Sequence, residues 1–208
     1  MVSTAVKGET STVARHIARS AARLFATQGY DATSVRMIVE AAGVTKPTLY
    51  YHFGSKEGLA QAVLTVPMRA LGARLKEIVD EPGDPVEALV RVIETKFDFC
   101  REDPDRSRFV FSLLFGPHSE GLAGELAQLT QELPCVHAAI VRRLAESGVI
   151  APDRAEAFGT FCHGLTVITA MDFLYKGRAI EPGQARRLVD DLLCGFRARE
   201  ARAEQGPS

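Results

Sequence analysis

Apolar residues recur at i, i+3 and i+4 along this chain, and no apolar/polar alternation of period two persists anywhere. That pattern excludes a half-buried sheet and leaves a fold made of helices. Turn-forming residues divide it: Gly29-Tyr30-Asp31, Gly43, Gly54-Ser55, Glu81 to Pro85, Asp103-Pro104-Asp105, Gly116-Pro117, Gly148 to Pro152 and Glu181-Pro182-Gly183. The segments between them have helical length, predicting an all-α fold of about nine helices. With 208 residues, 46% hydrophobic and 25% charged, the chain has the make-up of an ordinary globule, not of a disordered, collagenous or mucin-like one. It is long enough to bury a core without disulfide or metal staples. Met1 to Val13 holds no apolar h-region, and the longest uncharged stretch, Ala157 to Met171, reads as too short for a membrane span and carries His163. No membrane partner is expected, and the four cysteines, lacking short paired spacings, read as free thiols of a cytoplasmic protein.

The net charge of -1 hides an asymmetry. Residues 1–56 carry Lys7, Arg15, Arg19, Arg23, Arg36, Lys46 and Lys56 against Glu9, Asp31 and Glu40, a balance of +4, so the remainder stands at -5. Opposite signs in two parts of one chain suggest two partners, although a window this short also varies by chance.

Within the basic part three short helices are expected. The first spans about Thr12 to Gln28, with Ile17, Ala18, Ala21, Leu24 and Phe25 inward and Gly29 at its C-terminus. The second spans Ser34 to Ala42 with Thr33 as N-cap. The third spans Lys46 to Phe53 with Thr45 as N-cap and Pro47 in the first turn, where a missing N–H costs little. A short Gly-containing turn, Ala42-Gly43-Val44, joins the last two as in a helix-turn-helix. With Leu49 and Phe53 inward, Lys46, Thr48, Tyr50, Tyr51 and His52 face outward, each able to hydrogen-bond phosphates or base edges.

Thr33-Ser34-Val35-Arg36, the run Ala41 to Phe53 (AAGVTKPTLYYHF) and Ser55-Lys56 resemble the TetR family of bacterial transcriptional regulators. The likeness covers about residues 12–66; the rest matches that family only in length and helical character. It implies DNA contacts at Thr33, Arg36, Thr45, Lys46, Pro47, Thr48, Tyr50, Tyr51, His52 and Lys56, with Lys46, Thr48 and Arg36 nearest the bases. For the tyrosines the alternative is packing against the first helix. It also implies a DNA-binding domain over residues 10–66, an effector-binding and dimerisation domain over 67–202, and no enzyme activity. Two departures stand out: Pro47 where Gly is commoner, and Gly58 where Glu often closes a capping box after Ser55, which together are expected to loosen the head–body junction. One short helix reads few base pairs, so a homodimer on a roughly palindromic double-stranded operator is expected.

A single fourth helix is expected from Ser55 to about Asp80, kinked at Pro67 and followed by Gly72, a hinge or a static bend. A helix over Pro85 to Glu102 follows. Helices over about Asp153 to Lys176 and Pro182 to Arg202 carry wide apolar stripes. By resemblance they pair with their copies in a four-helix bundle, with Leu188, Leu192 and Phe196 at the dimer interface and Gly159 and Gly164 permitting close approach; the alternative is a purely internal core. The Phe-rich body suggests an apolar cavity for a small apolar or aromatic effector that releases a repressor from its operator. Its candidate lining is Phe97, Cys100, Phe111, Phe115, His137, Val141, Phe161, Leu165 and Thr169, with Asp172 and His163 orienting the ligand, or packing as ordinary interior.

A metal or redox effector is disfavoured. Cys100, Cys135, Cys162, His118, His137 and His163 are possible ligands, but their local spacings are poor: Cys135/His137 and Cys162/His163 diverge by about 200° and 100° around a helix. No metal or cofactor is expected. A DNA-binding dimer without a small-molecule effector stays open, while an enzyme or carrier lacks every catalytic spacing sought, H-E-x-x-H and G-x-S-x-G among them.

Overall fold

The computed structural model describes the backbone of residues 3–115 and 122–196, and the side chains of residues 12–115, 122 and 135–195. Ten α-helices run in order through these residues: α1 Ser3–Gln28, α2 Val35–Ala42, α3 Lys46–Phe53, α4 Lys56–Val63, α5 Thr65–Asp80, α6 Pro85–Glu102, α7 Pro104–Phe115, α8 Ala123–Glu146, α9 Ala155–Lys176 and α10 Gln184–Phe196. A 3₁₀ turn, Pro152–Arg154, leads into α9, and no strand forms among the described residues. The fold is all-α, as the periodicity predicts.

Three expectations need correction. Helix α1 begins at Ser3 rather than near Thr12. Ser34, not Thr33, is the N-cap of α2, its hydroxyl accepting from the Met37 N–H at 3.3 Å. The expected long fourth helix is two helices interrupted at Leu64. Pro67 supplies the reason: it has no N–H to give to the Val63 carbonyl, so the ladder fails one turn before the proline. It resumes with the Met68 N–H on the Leu64 carbonyl at 3.1 Å.

The chain groups into two compact units. The first holds residues 1–72 and 99–132, the second residues 73–98 and 133–208. This grouping follows packing, so the functional division near residue 66 stays a proposal. In the first unit α1 is the central element, packing on α2, α4 and α7. Its inward residues Ile17, Ala21, Ala22 and Phe25 are fully buried, and the Phe25 ring sits 5.0 Å from Phe109 of α7. In the second unit Leu89, Ile93 and Phe97 of α6, Ile140 and Leu144 of α8, Phe158 and Cys162 of α9, and Val189 of α10 form the core. Gly159 lets α9 close on α8, since a Cβ there would lie 3.3 Å from a Val141 methyl; Gly164 meets no such neighbour. The Arg143 guanidinium donates to the carbonyls of Val79 and Gly83 and ties α8 to the end of α5.

Helix α9 has two apolar faces. Phe158, Cys162, Thr166, Ala170 and Leu174 are buried, while Phe161, Leu165, Ile168 and Tyr175 are exposed. At 100° per residue the exposed four fall within an arc of about 80°. The segment Pro152–Lys176 contains an 18-residue window with a mean hydropathy of 1.3 and is long and apolar enough to cross a membrane by length and composition, contrary to the expectation from its uncharged stretch alone. The second apolar face accounts for that excess.

Candidate nucleic-acid interface

Helices α2 and α3 are each set by a hydroxyl cap and a left-handed glycine. Gly43 at φ 60° ends α2, and its N–H and that of Val44 return to the Glu40 and Val39 carbonyls at 3.2 and 3.0 Å. The turn then admits Thr45, whose Oγ1 accepts from the Thr48 N–H at 3.4 Å and lies 2.9 Å from the Thr48 hydroxyl. Leu49 of α3 is fully buried and anchors the helix, as expected, whereas Phe53 is only half-buried.

Anchoring Leu49 turns the polar row outward. Lys46, Pro47 and Thr45 are exposed, Thr48 and His52 half-buried, and Tyr50 and Tyr51 are 46% and 79% exposed. The Tyr51 ring meets His52 edge-on at 5.1 Å, on the outside of the helix. These exposures favour the outward reading of the tyrosines over packing against α1. Arg36 is exposed on α2, its Nε donating to Glu40 at 2.7 Å; the carboxylate holds the guanidinium pKa above its ordinary value. An exposed pair of this kind contributes little and exchanges readily for a phosphate.

Two of the expected contacts change role. Thr33 is fully buried, and its hydroxyl donates to the Gly29 carbonyl at 2.7 Å. It caps the C-terminus of α1 and cannot reach DNA through its side chain. Thr33→Val is therefore expected to cost about 1 kcal/mol of stability, seen in thermal melting, with DNA affinity of the folded protein unchanged within about twofold. Lys56 folds back with its ammonium 4.1 Å from the Tyr30 ring centre, and burial pulls its pKa below the ordinary lysine value against the raising pull of Asp31 and Glu57. Its first partner is that ring.

Gly58 acquires a role that sequence reasoning missed. A Cβ there would sit 2.1 Å from the Phe53 carbonyl oxygen, so the first turn of α4 can lie against the end of α3 only with glycine at this position. Ser55 caps α4 by accepting from the Gly58 N–H at 3.0 Å, and Glu57 takes the carboxylate role in the cap. Bonds from its own backbone N–H and from Ser55 hold the Glu57 pKa below its ordinary value. The departure at residue 58 thus tightens this joint where loosening was expected.

The candidate effector residues divide between the units. Cys100, Phe111 and Phe115 belong to the first, where Cys100 is buried and Phe115 is 63% exposed, its ring 5.8 Å from Phe111. Phe97, His137, Val141, Phe161, Leu165 and Thr169 belong to the second. Phe97 and Val141 are interior, but Phe161 and Leu165 lie on the outer face of α9 and line no interior of their own unit. Asp172 is no ligand anchor, because Lys176 and Arg178 pair with it at 2.7 and 2.8 Å and hold its pKa down at the end of α9. Of the expected interface residues, Leu188 is half-buried, Leu192 is buried within its own protomer, and the Phe196 side chain lies outside the described residues, as does His118.

One polar group inside the second unit was not anticipated. Lys96 lies in the apolar stripe of α6 between Ile93 and Cys100 and is half-buried there, and that placement was the available signal. Its Nζ lies 3.1 Å from His137 Nδ1, and the His137 ring meets His163 edge-on at 5.4 Å. Burial lowers the Lys96 pKa to about 8, and burial together with the Lys96 charge lowers that of His137 to about 3. Burial raises the Cys162 thiol to about 11, so it stays protonated. Among the described residues no group of three or more His, Cys, Asp or Glu side chains is placed to hold a metal.

Residues 17–63 match the family model described as bacterial regulatory proteins, tetR family. The chain is similar to the HTH-type transcriptional repressor KstR2 of Mycobacterium tuberculosis (strain ATCC 25618 / H37Rv), 34% identical over 93 residues. That match covers 45% of this chain and 46% of KstR2, so the chain spans about half the length of this relative. It is also similar to the uncharacterized HTH-type transcriptional regulator YxaF of Bacillus subtilis (strain 168), 31% identical over 159 residues that cover 72% of this chain and 78% of YxaF. Among solved structures, the TetR family transcriptional regulator PfmR of Thermus thermophilus aligns with a TM-score of 0.66 and 28% identity over 88% of this chain and 96% of PfmR. With its head built as above and a relative matched over most of both lengths, the chain belongs to the tetR family of bacterial regulatory proteins.

Proposed function

We propose that the protein is a cytoplasmic homodimeric transcriptional regulator, a repressor that leaves its operator when a small apolar or aromatic effector binds the body. The supporting observation is the outward row on α3: Lys46, Thr48, Tyr50, Tyr51 and His52 stand accessible on a short helix whose angle Leu49, Gly43 and the Thr45 cap determine. Such a helix fits a major groove, with α2 crossing the backbone. Lys46 and Thr48, in the first turn of α3, are placed to reach base edges, with Arg36 beside them; Tyr50, Tyr51 and His52 grip phosphates.

Two copies are needed for affinity, and the exposed arc on α9 supplies an apolar surface for pairing. Phe161, Leu165, Ile168 and Tyr175 are too large and too closely grouped to be incidental exposure. We place the dimer seam on this arc, with the exposed edge of α10 alongside it. An effector acts by preferring one of two conformers of the dimer.

The test is binding of the purified protein to its own promoter DNA at physiological salt. A sequence-selective shift is expected, and equal affinity for unrelated DNA rejects the reading. Lys46→Ala is expected to weaken operator binding about tenfold, by about 1–3 kcal/mol for a base contact, and Tyr51→Phe by a few-fold. Both variants should melt with the wild type. Unchanged affinity of both across a salt titration removes these residues from the interface.

A further inference from the structure

A polar cluster of the second unit is built from three helices: half-buried Lys96 on α6, half-buried His137 on α8 and exposed His163 on α9. Its hydrogen-bonding is incomplete in one direction. An ammonium donates and never accepts, so the 3.1 Å contact requires His137 Nδ1 to be the bare acceptor nitrogen. With the Lys96 charge beside it and burial around it, His137 stays neutral, and its proton therefore lies on Nε2. That Nε2 is fully buried and has no hydrogen-bond partner among the described residues. Lys96 itself has no carboxylate partner among the described residues, and its pKa near 8 leaves it mostly charged at pH 7. The nearby Cys162 is a protonated thiol and offers no anion, and Thr166 already donates to the Cys162 carbonyl at 2.8 Å.

A cation and an N–H donor thus share a site that holds no anion among the described residues. Buried polar groups are normally satisfied, and an isolated buried charge is among the costliest arrangements a core can hold. The same three helices bury Phe97, Ile93, Val141 and Phe158, so the core of this unit is apolar. The group that completes the cluster must bring oxygen acceptors, and a negative charge completes it best.

Resting on the effector-release reading above, we propose that Lys96 and His137 anchor an effector that carries a carboxylate on an apolar body. The carboxylate neutralises the Lys96 ammonium and accepts from His137 Nε2–H, while the apolar body displaces side-chain contacts in the core of the second unit. Selectivity follows from the same groups: a neutral ligand of equal shape leaves the ammonium uncompensated.

The experiment uses the full chain, with decanoate and its neutral counterpart decan-1-ol as probes, followed at pH 7 by displacement of 1-anilinonaphthalene-8-sulfonate fluorescence. Decanoate is expected to bind at least about tenfold more tightly than decan-1-ol. Lys96→Met should abolish that preference by weakening decanoate alone, and should melt at a temperature equal to or above the wild type, because an uncompensated cation is gone. A second readout needs no variant: decanoate should move the His137 Nε2–H proton resonance downfield, and decan-1-ol should not. Equal affinity for the two probes, no displacement by either, or a preference that survives in Lys96→Met overturns the site. Tight, carboxylate-selective binding that leaves operator affinity unchanged keeps the site and removes effector release. Operator release by an apolar ligand with no carboxylate preference does the reverse.

Discussion

Ile168→Glu is expected to convert the protein to a monomer and to lower operator affinity by at least about a hundredfold, which is about 2.7 kcal/mol. Ile168 is 56% exposed in the middle of the outer arc of α9, flanked by Phe161 and Leu165 two turns and one turn before it and by Tyr175 two turns after it. On a free surface a glutamate there is harmless, since the position already faces water and the inward face of α9 is untouched. In a closed seam it places an unpaired carboxylate opposite apolar side chains, at a cost of several kcal/mol that appears twice in a symmetric dimer. Sedimentation velocity and promoter binding on the same sample check both halves of the expectation. A variant that still sediments as a dimer takes the seam away from α9. The substitution is sharper than one at Leu192, which is buried within its own protomer and would mix folding with assembly.

Gly58→Ala is expected to destabilise the first unit by about 3 kcal/mol, the upper part of the range for forcing atoms into filled space. The added methyl would meet the Phe53 carbonyl oxygen at 2.1 Å, and a backbone oxygen at the end of a helix has no rotamer by which to retreat. Relief requires α4 to move off α3, which disturbs the joint that holds the reading helix. Operator binding should therefore fall further than the loss of folded protein explains. Gly72→Ala is the matched control: it lies inside α5, a Cβ there meets nothing within 4 Å, and alanine favours a helix interior by up to about 1 kcal/mol over glycine. Melting curves should move in opposite directions for the two variants. If Gly58→Ala melts with the wild type, the close approach does not constrain the joint.

The two substitutions also mark what a sequence can and cannot say. Gly58 reads along the chain as a missing capping glutamate. Its contact with Phe53 spans five residues and a change of helix direction, so no spacing rule contains it. Thr33 was misplaced for a similar reason: Thr33 and Ser34 are both good caps, and which hydroxyl turns to the second helix depends on how Gly29 ends the first. Pro67, by contrast, was legible, because its defect is its own missing N–H, and the interruption falls where that bond would have been.

What the sequence determined by itself is whatever is encoded within a turn or two of chain: the all-α fold, the Gly43 turn and Thr45 cap of the helix-turn-helix, and the row of polar side chains on α3. Those features rest on backbone geometry and helical periodicity, which are local. Tertiary structure alone decided which of two apolar faces of α9 is used inside, so that Phe161 and Leu165 moved from a supposed cavity to an outer arc. It also brought Lys96, His137 and His163 together from three helices. A side chain carries its polarity in the sequence, but its burial and its partners are set by residues far along the chain. The same lysine is a solvated charge or a partly desolvated cation without a counter-charge according to what packs around it.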